Sequence, residues 1–200
     1  GASMSLRSKG KGLLVVALNE YASRRDNPHV PYTAEQVAAD ALECADAGAS
    51  VVHVHSRNDD GSPLMPGGDF YRRVIELVAL ESDVLVWPTA PPLGGDVTSA
   101  GELSYVWDLD DDPPRPGVLE LVPFDLFRKG SPPYWDERGA RLLQSPAESA
   151  LGGVGRYEPP GALTEIVRRG LTPVFCCFDL TDVRWTSHVV RAGYAPEPAV

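Results

Sequence analysis

The fold is decided by residues 33–55, which read TAEQVAADALECADAGASVVHVH. Thr33, with Gln36 three residues later, has the pattern of a capping box, so a helix is predicted to begin here. The apolar residues that follow recur at helical spacing: Val37, Ala38, Ala41, Leu42 and Ala45. Gly48 is the expected left-handed stop of this helix, and the valine-rich run at 50–55 predicts a strand. A helix followed so closely by a strand is typical of a βαβ unit.

The same alternation of apolar runs and helical stretches continues on both sides of this segment. Further strands are predicted at 13–18, 84–87, 117–122 and 173–178, and further helices at 69–81, 161–169 and 182–193. The first strand is a continuous apolar run, as expected for a strand covered on both faces. A doubly wound sheet and a (β/α)8 TIM barrel both fit this pattern. No Gly-x-Gly-x-x-Gly follows the first strand, which favours the α/β barrel.

The length of the chain suggests that this barrel is incomplete. A full barrel takes about 250 residues, whereas this chain has 200 residues with five predicted strand–helix units. Residues 1–11 are interpreted as a cloning remnant and flexible N-terminus, and 12–200 as a single barrel domain that lacks the last strands. The stretches 88–116 and 123–160 are rich in proline and predicted to be irregular. An open sheet edge would need to be covered by further sequence or by a partner.

The amino-acid composition limits which binding partners and which cellular location are expected for this protein. Lys and Arg number 18 and Asp and Glu 28, a net charge of −10, which argues against nucleic acid or anionic lipid as a partner. No apolar run approaches the roughly 18–20 residues of a membrane span, and the polar start is unlike a secretion signal. Three cysteines are too few for a disulfide framework. A cytoplasmic protein without a membrane partner is therefore expected.

His53 and His55 are the candidate metal ligands. Side chains alternate across a strand, so both imidazoles lie on one face, at the carboxyl end where parallel α/β folds bind ligands. Two neutral imidazoles at this spacing can ligate one divalent ion such as Zn²⁺. The alternative is a structural pair in an apolar layer, which would need hydrogen-bond partners. Arg57 follows at the rim, where it could hold a carboxylate or phosphate, or form a surface salt bridge.

Several polar residues follow other strands and would share this rim. Asn19, Glu20 and Arg24 come after the first strand and are candidate substrate-binding residues, although Glu20 could be merely solvated. Thr89 ends the third strand and could offer its hydroxyl to substrate or serve a turn. Together with the histidines, these residues define one candidate site at the carboxyl end of the strands.

Residues of the later strands are candidates on other grounds. Glu120 is placed inside an apolar strand, where an ionised carboxylate needs a partner or a metal, so it is a candidate third ligand or catalytic base. Asp179 follows the fifth strand and is a similar candidate. Cys176 and Cys177 are adjacent on a strand and so face opposite ways, which predicts buried apolar roles.

The residues at 27–36, 44–49 and 53–61 together resemble the β-keto acid cleavage enzymes, a family that includes 3-keto-5-aminohexanoate cleavage enzyme. The resemblance is strong over 12–90 and continues in order from 116 to the end. It implies a (β/α)8 barrel with a catalytic zinc, assembled as a homo-oligomer. The implied reaction takes a β-keto acid and acetyl-CoA and releases acetoacetate and a new acyl-CoA, with no hydride cofactor.

Carried over residue by residue, the resemblance assigns His53 and His55 as zinc ligands and Arg57 as the arginine that follows them. The family's third ligand, a glutamate near the last strand, has no counterpart before Val200, and neither do the aspartate and arginine beside it. The resemblance leaves the third metal ligand of this chain unassigned.

Three further positions depart from the family pattern. The family's Ser-Thr pair after the third strand reads Pro88-Thr89, so only the threonine is kept. Cys176 stands where relatives that bind an amino group carry a glutamate, which argues against a cationic amino-keto acid as substrate. Glu120 stands where the family often has a small hydroxyl residue. These departures indicate either another keto acid or a divergent, inactive relative.

Two other functions fit parts of the sequence. Amidohydrolase-like barrel hydrolases also use a His-x-His at a strand end, but on the first strand and with later strand-end histidines, whereas here the pair is on the second strand. A non-catalytic barrel module would account for the missing third ligand.

Overall fold

The computed structural model of the chain describes residues 13–64, 67–89, 104–113, 121–125, 134–136, 141–143 and 161–196. The chain divides into two compact units, the first formed by 1–89 with 112–119 and the second by 90–111 with 120–200. Each unit contains a parallel β-sheet and helices. The predicted α/β class is therefore confirmed, while one barrel domain over 12–200 stays a prediction.

The described residues of the first unit form a three-stranded parallel sheet and two helices. β1 is Val15–Ala17, α1 is Ala34–Asp46, β2 is Val51–Val54, α2 is Gly68–Ala79 and β3 is Leu85–Pro88. The strand order is β1-β2-β3, and both neighbouring pairs are parallel. These elements form two consecutive βαβ units, as the alternation in the sequence predicts.

α1 begins and ends where the sequence predicts. The Thr33 hydroxyl accepts a hydrogen bond from the Gln36 backbone N–H at 3.3 Å, and the Gln36 side chain accepts from the Thr33 N–H at 3.2 Å. Gly48 follows the helix with φ of +104°. The buried face of α1 consists of Ala34, Val37, Ala38 and Ala41. Because this face packs against α2 and β2, the helix fixes the position of the central strand.

The central strand β2 carries different side chains on its two faces. Val52 and Val54 are fully buried, whereas His53, between them, is partly exposed. In the register of the sheet, His53 pairs with Ala17 of β1 and with Trp87 of β3. Since paired residues point to the same side, the histidine face of the sheet also carries Trp87.

Tyr71 of α2 forms hydrogen bonds at the carboxyl ends of both β2 and β3. Its ring is 1% exposed. Its hydroxyl accepts hydrogen bonds from the backbone N–H of Ser56 at 3.1 Å and of Thr89 at 3.4 Å, and donates to the Val54 carbonyl at 3.4 Å. The strand ends that carry the candidate site are thus held by one buried phenol.

We expect Tyr71→Phe to lower the free energy of unfolding by about 1–3 kcal/mol, because the buried Ser56 N–H loses its acceptor. Urea denaturation measures this change as a shift of the unfolding midpoint. Tyr21→Phe is the matched control, since it removes a hydroxyl from a ring that is 78% exposed. Equal unfolding midpoints for the two variants would contradict the role assigned to the Tyr71 hydroxyl.

The prediction that β1 is covered on both faces is wrong for the structure described. Leu13, Leu14 and Val15 are 50%, 51% and 41% exposed. Within the described part of the chain, β1 pairs only with β2, so no described strand lies beside its other edge. β1 is also shorter than the predicted 13–18, because its pairing with β2 in the sheet covers only three residues.

The described residues of the second unit form two small sheets and three helices. Its elements are α3 (Ser104–Asp111), β4 (Leu121–Asp125), β5 (Tyr134–Asp136), β6 (Arg141–Leu143), α4 (Gly161–Arg168), β7 (Thr172–Cys176) and α5 (Leu180–Arg191). β4 pairs in parallel with β7, and β5 pairs antiparallel with β6. The rings of Phe124, Phe175 and Trp185 lie 5.7–6.2 Å apart by centroid and form its aromatic core.

The prediction that 88–116 and 123–160 are irregular is wrong where the structure describes them. α3 lies in the first stretch, and the hairpin of β5 and β6 lies in the second. α3 buries Tyr105, Val106 and Leu109, a short apolar stripe that the surrounding prolines obscure. The fourth strand, predicted at 117–122, is found at Leu121–Asp125. Pro123 disfavours a strand in the sequence, yet it pairs in register with Val174.

Two candidate roles near β7 are corrected by the local structure. Asp179 is the N-cap of α5, where its side chain accepts hydrogen bonds from the backbone N–H of Thr181 at 2.6 Å and of Asp182 at 3.0 Å. This carboxylate therefore caps the N-terminus of α5. Cys177 is exposed rather than buried, because the strand ends at Cys176, which is itself only partly buried.

None of the described helices is long and apolar enough to cross a membrane.

Candidate active site

The site is built on the carboxyl end of β2. His53 lies in the strand and His55 directly follows it. Their ring centroids are 5.1 Å apart and the ring planes meet at 84°. The prediction that both imidazoles lie on the same side of the strand is confirmed. Each ring is partly buried, so neighbouring groups control the chemistry of both.

A backbone carbonyl orients the ring of His53. Its Nδ1 lies 3.1 Å from the Trp87 carbonyl oxygen on β3. A carbonyl can only accept, so this contact assigns the proton to Nδ1 and the lone pair to Nε2. Metal-binding histidines are commonly oriented in this way by a second hydrogen bond. The indole of Trp87 lies against the same imidazole, with ring centroids 4.2 Å apart.

His55 is held in its neutral form. Its pKa is lowered to about 4, mainly by partial burial and to a smaller extent by the nearby His53 and Arg57. Burial disfavours a charged imidazolium, and so does a neighbouring positive charge. At neutral pH the ring therefore offers a lone pair, which is the form that binds a metal ion.

The donor set suits part of a zinc site. Two neutral imidazoles brought together on one strand are nitrogen ligands of the kind that Zn²⁺ prefers. Among the residues that the structure describes, no group of three His, Cys, Asp or Glu side chains is arranged to hold a metal. The described residues thus bring two candidate ligands together, and their binding of zinc stays a prediction.

Asn19 fastens the end of β1 to the end of β2. It is 1% exposed. Its Nδ2 donates to the carbonyl of His55 at 2.9 Å and to that of Pro31 at 3.2 Å, while its Oδ1 accepts from the His55 N–H at 2.9 Å. The amide therefore fixes the backbone of a candidate ligand. Its predicted contact with substrate stays a prediction.

Arg57 lies at the rim, as predicted, but its partners are backbone carbonyls. Its guanidinium donates to the carbonyl oxygen of Gly61 at 2.7 Å, to that of Asn19 at 3.2 Å, and to that of Glu20. Within the described residues it forms no ion pair, so the alternative of a surface salt bridge is not observed. Its predicted catalytic role is untested by these contacts.

Arg24 and Glu20 occupy the loop after β1. The Arg24 guanidinium donates to the Val30 carbonyl at 2.9 Å and to the Gln36 side chain at 2.5 Å, and it lies 4.1 Å from the Tyr32 ring centroid. It therefore braces the loop against the start of α1. The side chain of Glu20 is exposed. For both residues, substrate binding stays a prediction.

Glu20 has an unusual backbone conformation, with φ of +25°. A side chain in this region costs about 1–2 kcal/mol, and glycine avoids most of that cost. We therefore expect Glu20→Gly to raise the free energy of unfolding by up to about 1 kcal/mol. Chemical denaturation tests this, with Glu81→Gly as a control outside the site. A clear loss of stability would show that the Glu20 side chain contributes contacts of its own.

The other two candidate catalytic residues are Thr89 and Glu120, and the structure describes only Thr89. Thr89 directly follows β3, and its backbone N–H donates to the Val54 carbonyl at 3.1 Å. It therefore lies at the same end of the sheet as the histidines, as predicted. Glu120 lies outside the described residues, so its role as ligand or base stays a prediction.

Sequence reasoning missed two aromatic residues beside the histidines. Tyr21 packs edge-on against His55, with ring centroids 5.3 Å apart. Trp87 packs on His53, and its buried indole N–H has no hydrogen-bond partner within the described structure. The position of Trp87 becomes evident only from the register of the sheet, in which it stands opposite His53. No sequence signal would have found Tyr21, since a loop conformation sets its position.

The chain is similar in sequence to enzymes of known function. The chain is 36% identical over 80 residues to a 3-keto-5-aminohexanoate cleavage enzyme from Acetoanaerobium sticklandii, covering 40% of this chain and 28% of that protein. It is 40% identical over 188 residues to a 3-dehydrocarnitine:acetyl-CoA trimethylamine transferase from Rhizobium meliloti, covering 86% of this chain and 56% of that protein. The chain thus spans about half, or less, of these relatives.

Similarity to solved structures supports the fold. The chain superimposes on ObcA in its ternary complex with a C4-CoA adduct and oxalate with a TM-score of 0.57 and 16% identity, covering 86% of this chain and 36% of ObcA. This likeness supports a TIM-barrel-like α/β fold. A profile for the family described as beta-keto acid cleavage enzyme matches residues 11–122, a stretch that includes β1 to β3 and both histidines. The chain belongs to the beta-keto acid cleavage enzyme family.

Proposed function

We propose that this chain contributes the first part of the active site of a zinc-dependent β-keto acid cleavage enzyme. The observation that carries the proposal is the convergence of His53 and His55 at the end of β2, in a chain that belongs to this family. The reaction takes a β-keto acid R–CO–CH₂–COO⁻ and acetyl-CoA. The R–CO group passes to coenzyme A, and the CH₂–COO⁻ unit joins the acetyl group to give acetoacetate.

His53 and His55 would hold the zinc ion, each as a neutral ligand. When bound, such an ion polarises a carbonyl oxygen and stabilises the negative charge that develops on it. The Trp87 carbonyl keeps the Nε2 lone pair of His53 available by binding Nδ1. Asn19 and Tyr71 hold the strand ends in place, which preserves the spacing between the two rings.

Groups next to the histidines suit an oxygen-rich substrate. The Trp87 indole N–H is buried without a partner in the described residues, and a keto or carboxylate oxygen bound beside His53 would satisfy it. The Arg57 guanidinium supplies positive charge at the rim, which favours an anionic keto acid. Cys176, where amino-binding relatives have a glutamate, supports a keto acid without a cationic amino group.

The complete enzyme would include a closed barrel. The exposed apolar residues at 13–15 on the edge of β1 are a surface that a further strand or a second subunit would bury. A closed barrel, a third metal ligand and a homo-oligomer are therefore parts of the same proposal. Size-exclusion chromatography with light scattering measures the oligomeric state.

The proposal is tested by an assay of acetyl-CoA consumption with a panel of β-keto acids, on zinc-loaded and chelator-treated protein. We expect acetoacetate to form only with zinc, and faster with anionic or neutral side chains than with amino-substituted ones. Zinc binding without acetoacetate formation from any keto acid would instead support the non-catalytic module. Hydrolysis without acetyl-CoA would support a barrel hydrolase.

A further inference from the structure

The position of Tyr21 is not explained by packing in a core. Its side chain is 78% exposed, yet its ring meets the His55 ring edge-on, with centroids 5.3 Å apart and planes at 74°. An exposed aromatic ring on a loop has many rotamers and backbone positions available. Its contact with one histidine therefore requires something that holds the loop.

Arg57 holds that loop by its backbone. The guanidinium donates to the carbonyl oxygens of Asn19 and Glu20 on one side, and to that of Gly61 on the other. The Glu20 carbonyl belongs to the same rigid peptide plane as the Tyr21 nitrogen. A hydrogen bond to this oxygen therefore fixes the direction in which Tyr21 leaves the backbone.

The hydrogen bonds of Arg57 hold the Glu20 backbone in a conformation that residues with a side chain disfavour. Its φ of +25° is one that side chains other than glycine rarely adopt. Such a conformation persists only when its surroundings impose it. Two contacts constrain the loop in this conformation. They are the hydrogen bond from Arg57 to the Glu20 carbonyl and the hydrogen bonds of the Asn19 amide to the His55 backbone. The loop is thus fastened to the strand that carries the histidines.

The guanidinium of Arg57 is itself held in place. It lies 5.8 Å from the centroid of the Tyr32 ring, which is 6% exposed. A Cβ at Gly61 would lie only 2.4 Å from an atom of that ring, so the Gly61 backbone also packs closely there. Arg57 therefore connects two loops through its hydrogen bonds to their carbonyls, beside a buried aromatic ring.

We propose that Arg57 is a positioning residue that holds Tyr21 against His55, and that Tyr21 forms one wall of a substrate pocket beside the histidine pair. Arg57 acts through the Glu20–Tyr21 peptide, and Tyr21 limits the space available to the side chain of the keto acid. The role of Tyr21 as a pocket wall rests on the proposed function. The effect of Arg57 on the His55 ring, exerted through Tyr21, does not.

The coupling is tested by the aromatic NMR spectrum of the protein at pH 8, where the His55 ring proton senses the ring current of Tyr21. Tyr21→Ala is expected to shift the His55 resonance. Arg57→Gln is expected to shift it in the same direction, and the double variant no further than Tyr21→Ala alone. Tyr21→Phe, which keeps the ring, and Arg25→Gln, which removes an exposed charge from the same loop, are expected to leave it unchanged.

Arg57→Lys is the second variant in case Arg57→Gln fails to fold, because it keeps the charge but cannot bind three carbonyls with the same geometry. A His55 resonance unchanged by a folded Arg57 variant, or shifts that add in the double variant, overturns the proposal.

Zinc titration and turnover of a size series of β-keto acids test the pocket wall. Tyr21→Ala is expected to lower KM most for the bulkiest keto acid, and an equal change across the series overturns this role of Tyr21. Should wild-type protein bind no zinc while the NMR coupling holds, the proposed function fails and the positioning role of Arg57 stands.

Discussion

His53→Ala and His55→Ala are each expected to lower the affinity of the protein for zinc by at least about 100-fold. Each substitution removes one of the two imidazoles that converge at the end of β2. A site that loses one of two neighbouring nitrogen ligands cannot hold the ion in the same geometry. Titration with zinc against a competing chelator measures the affinity of each variant.

The fold is expected to survive both substitutions, because each ring is only partly buried. Circular dichroism and thermal unfolding check this. His29→Ala is the matched control, since His29 is exposed in the loop between β1 and α1. Zinc affinity close to wild type in both His53 and His55 variants would refute the metal assignment. A loss in the His29 variant would move the site elsewhere.

Asn19→Ala has the second largest expected effect, a loss of about 2–4 kcal/mol in the free energy of unfolding. The side chain is 1% exposed and makes hydrogen bonds to the His55 N–H, the His55 carbonyl and the Pro31 carbonyl. Alanine would leave these buried backbone groups without their partner, and each such group costs about 1–3 kcal/mol. Urea denaturation measures the loss.

The same variant separates a structural role from a substrate-binding role. Because Asn19 fixes the backbone of His55, we expect Asn19→Ala to weaken zinc binding by about 10-fold as well. Asn58→Ala is the control, since Asn58 is exposed and bonds only within its own loop, to Ser62 and Pro63. A variant with full stability and zinc affinity but a raised KM would show that Asn19 acts on substrate alone.

Much of the first unit could be predicted because local patterns and tertiary packing agree there. The capping box at Thr33, the apolar stripe of α1 and the left-handed Gly48 are all found in the structure. Each is a short-range feature whose physical cause lies within a few residues. The same is true of the histidine pair, since a strand places residues two apart on one side.

The second unit was harder to predict because proline-rich sequence hides short elements. α3 and the hairpin of β5 and β6 occupy stretches predicted to be irregular. Strands of three residues gain their stability from pairing with a distant segment, which no local pattern reveals. Asp179 was likewise ambiguous until α5 placed two backbone N–H groups beside its carboxylate.

The α/β class, the family and the pair of imidazoles on one side of β2 can all be predicted from the residues alone, because they depend on alternation and on short motifs. The carbonyl partners of Arg57, the hydrogen bonds between Asn19 and His55, and the packing of Tyr21 and Trp87 beside the histidines become visible only in the folded chain. Apart from the hydrogen bond between Arg57 and Gly61, those contacts join residues that are 34–38 positions apart in the chain. They exist only once parallel strands bring their carboxyl ends together.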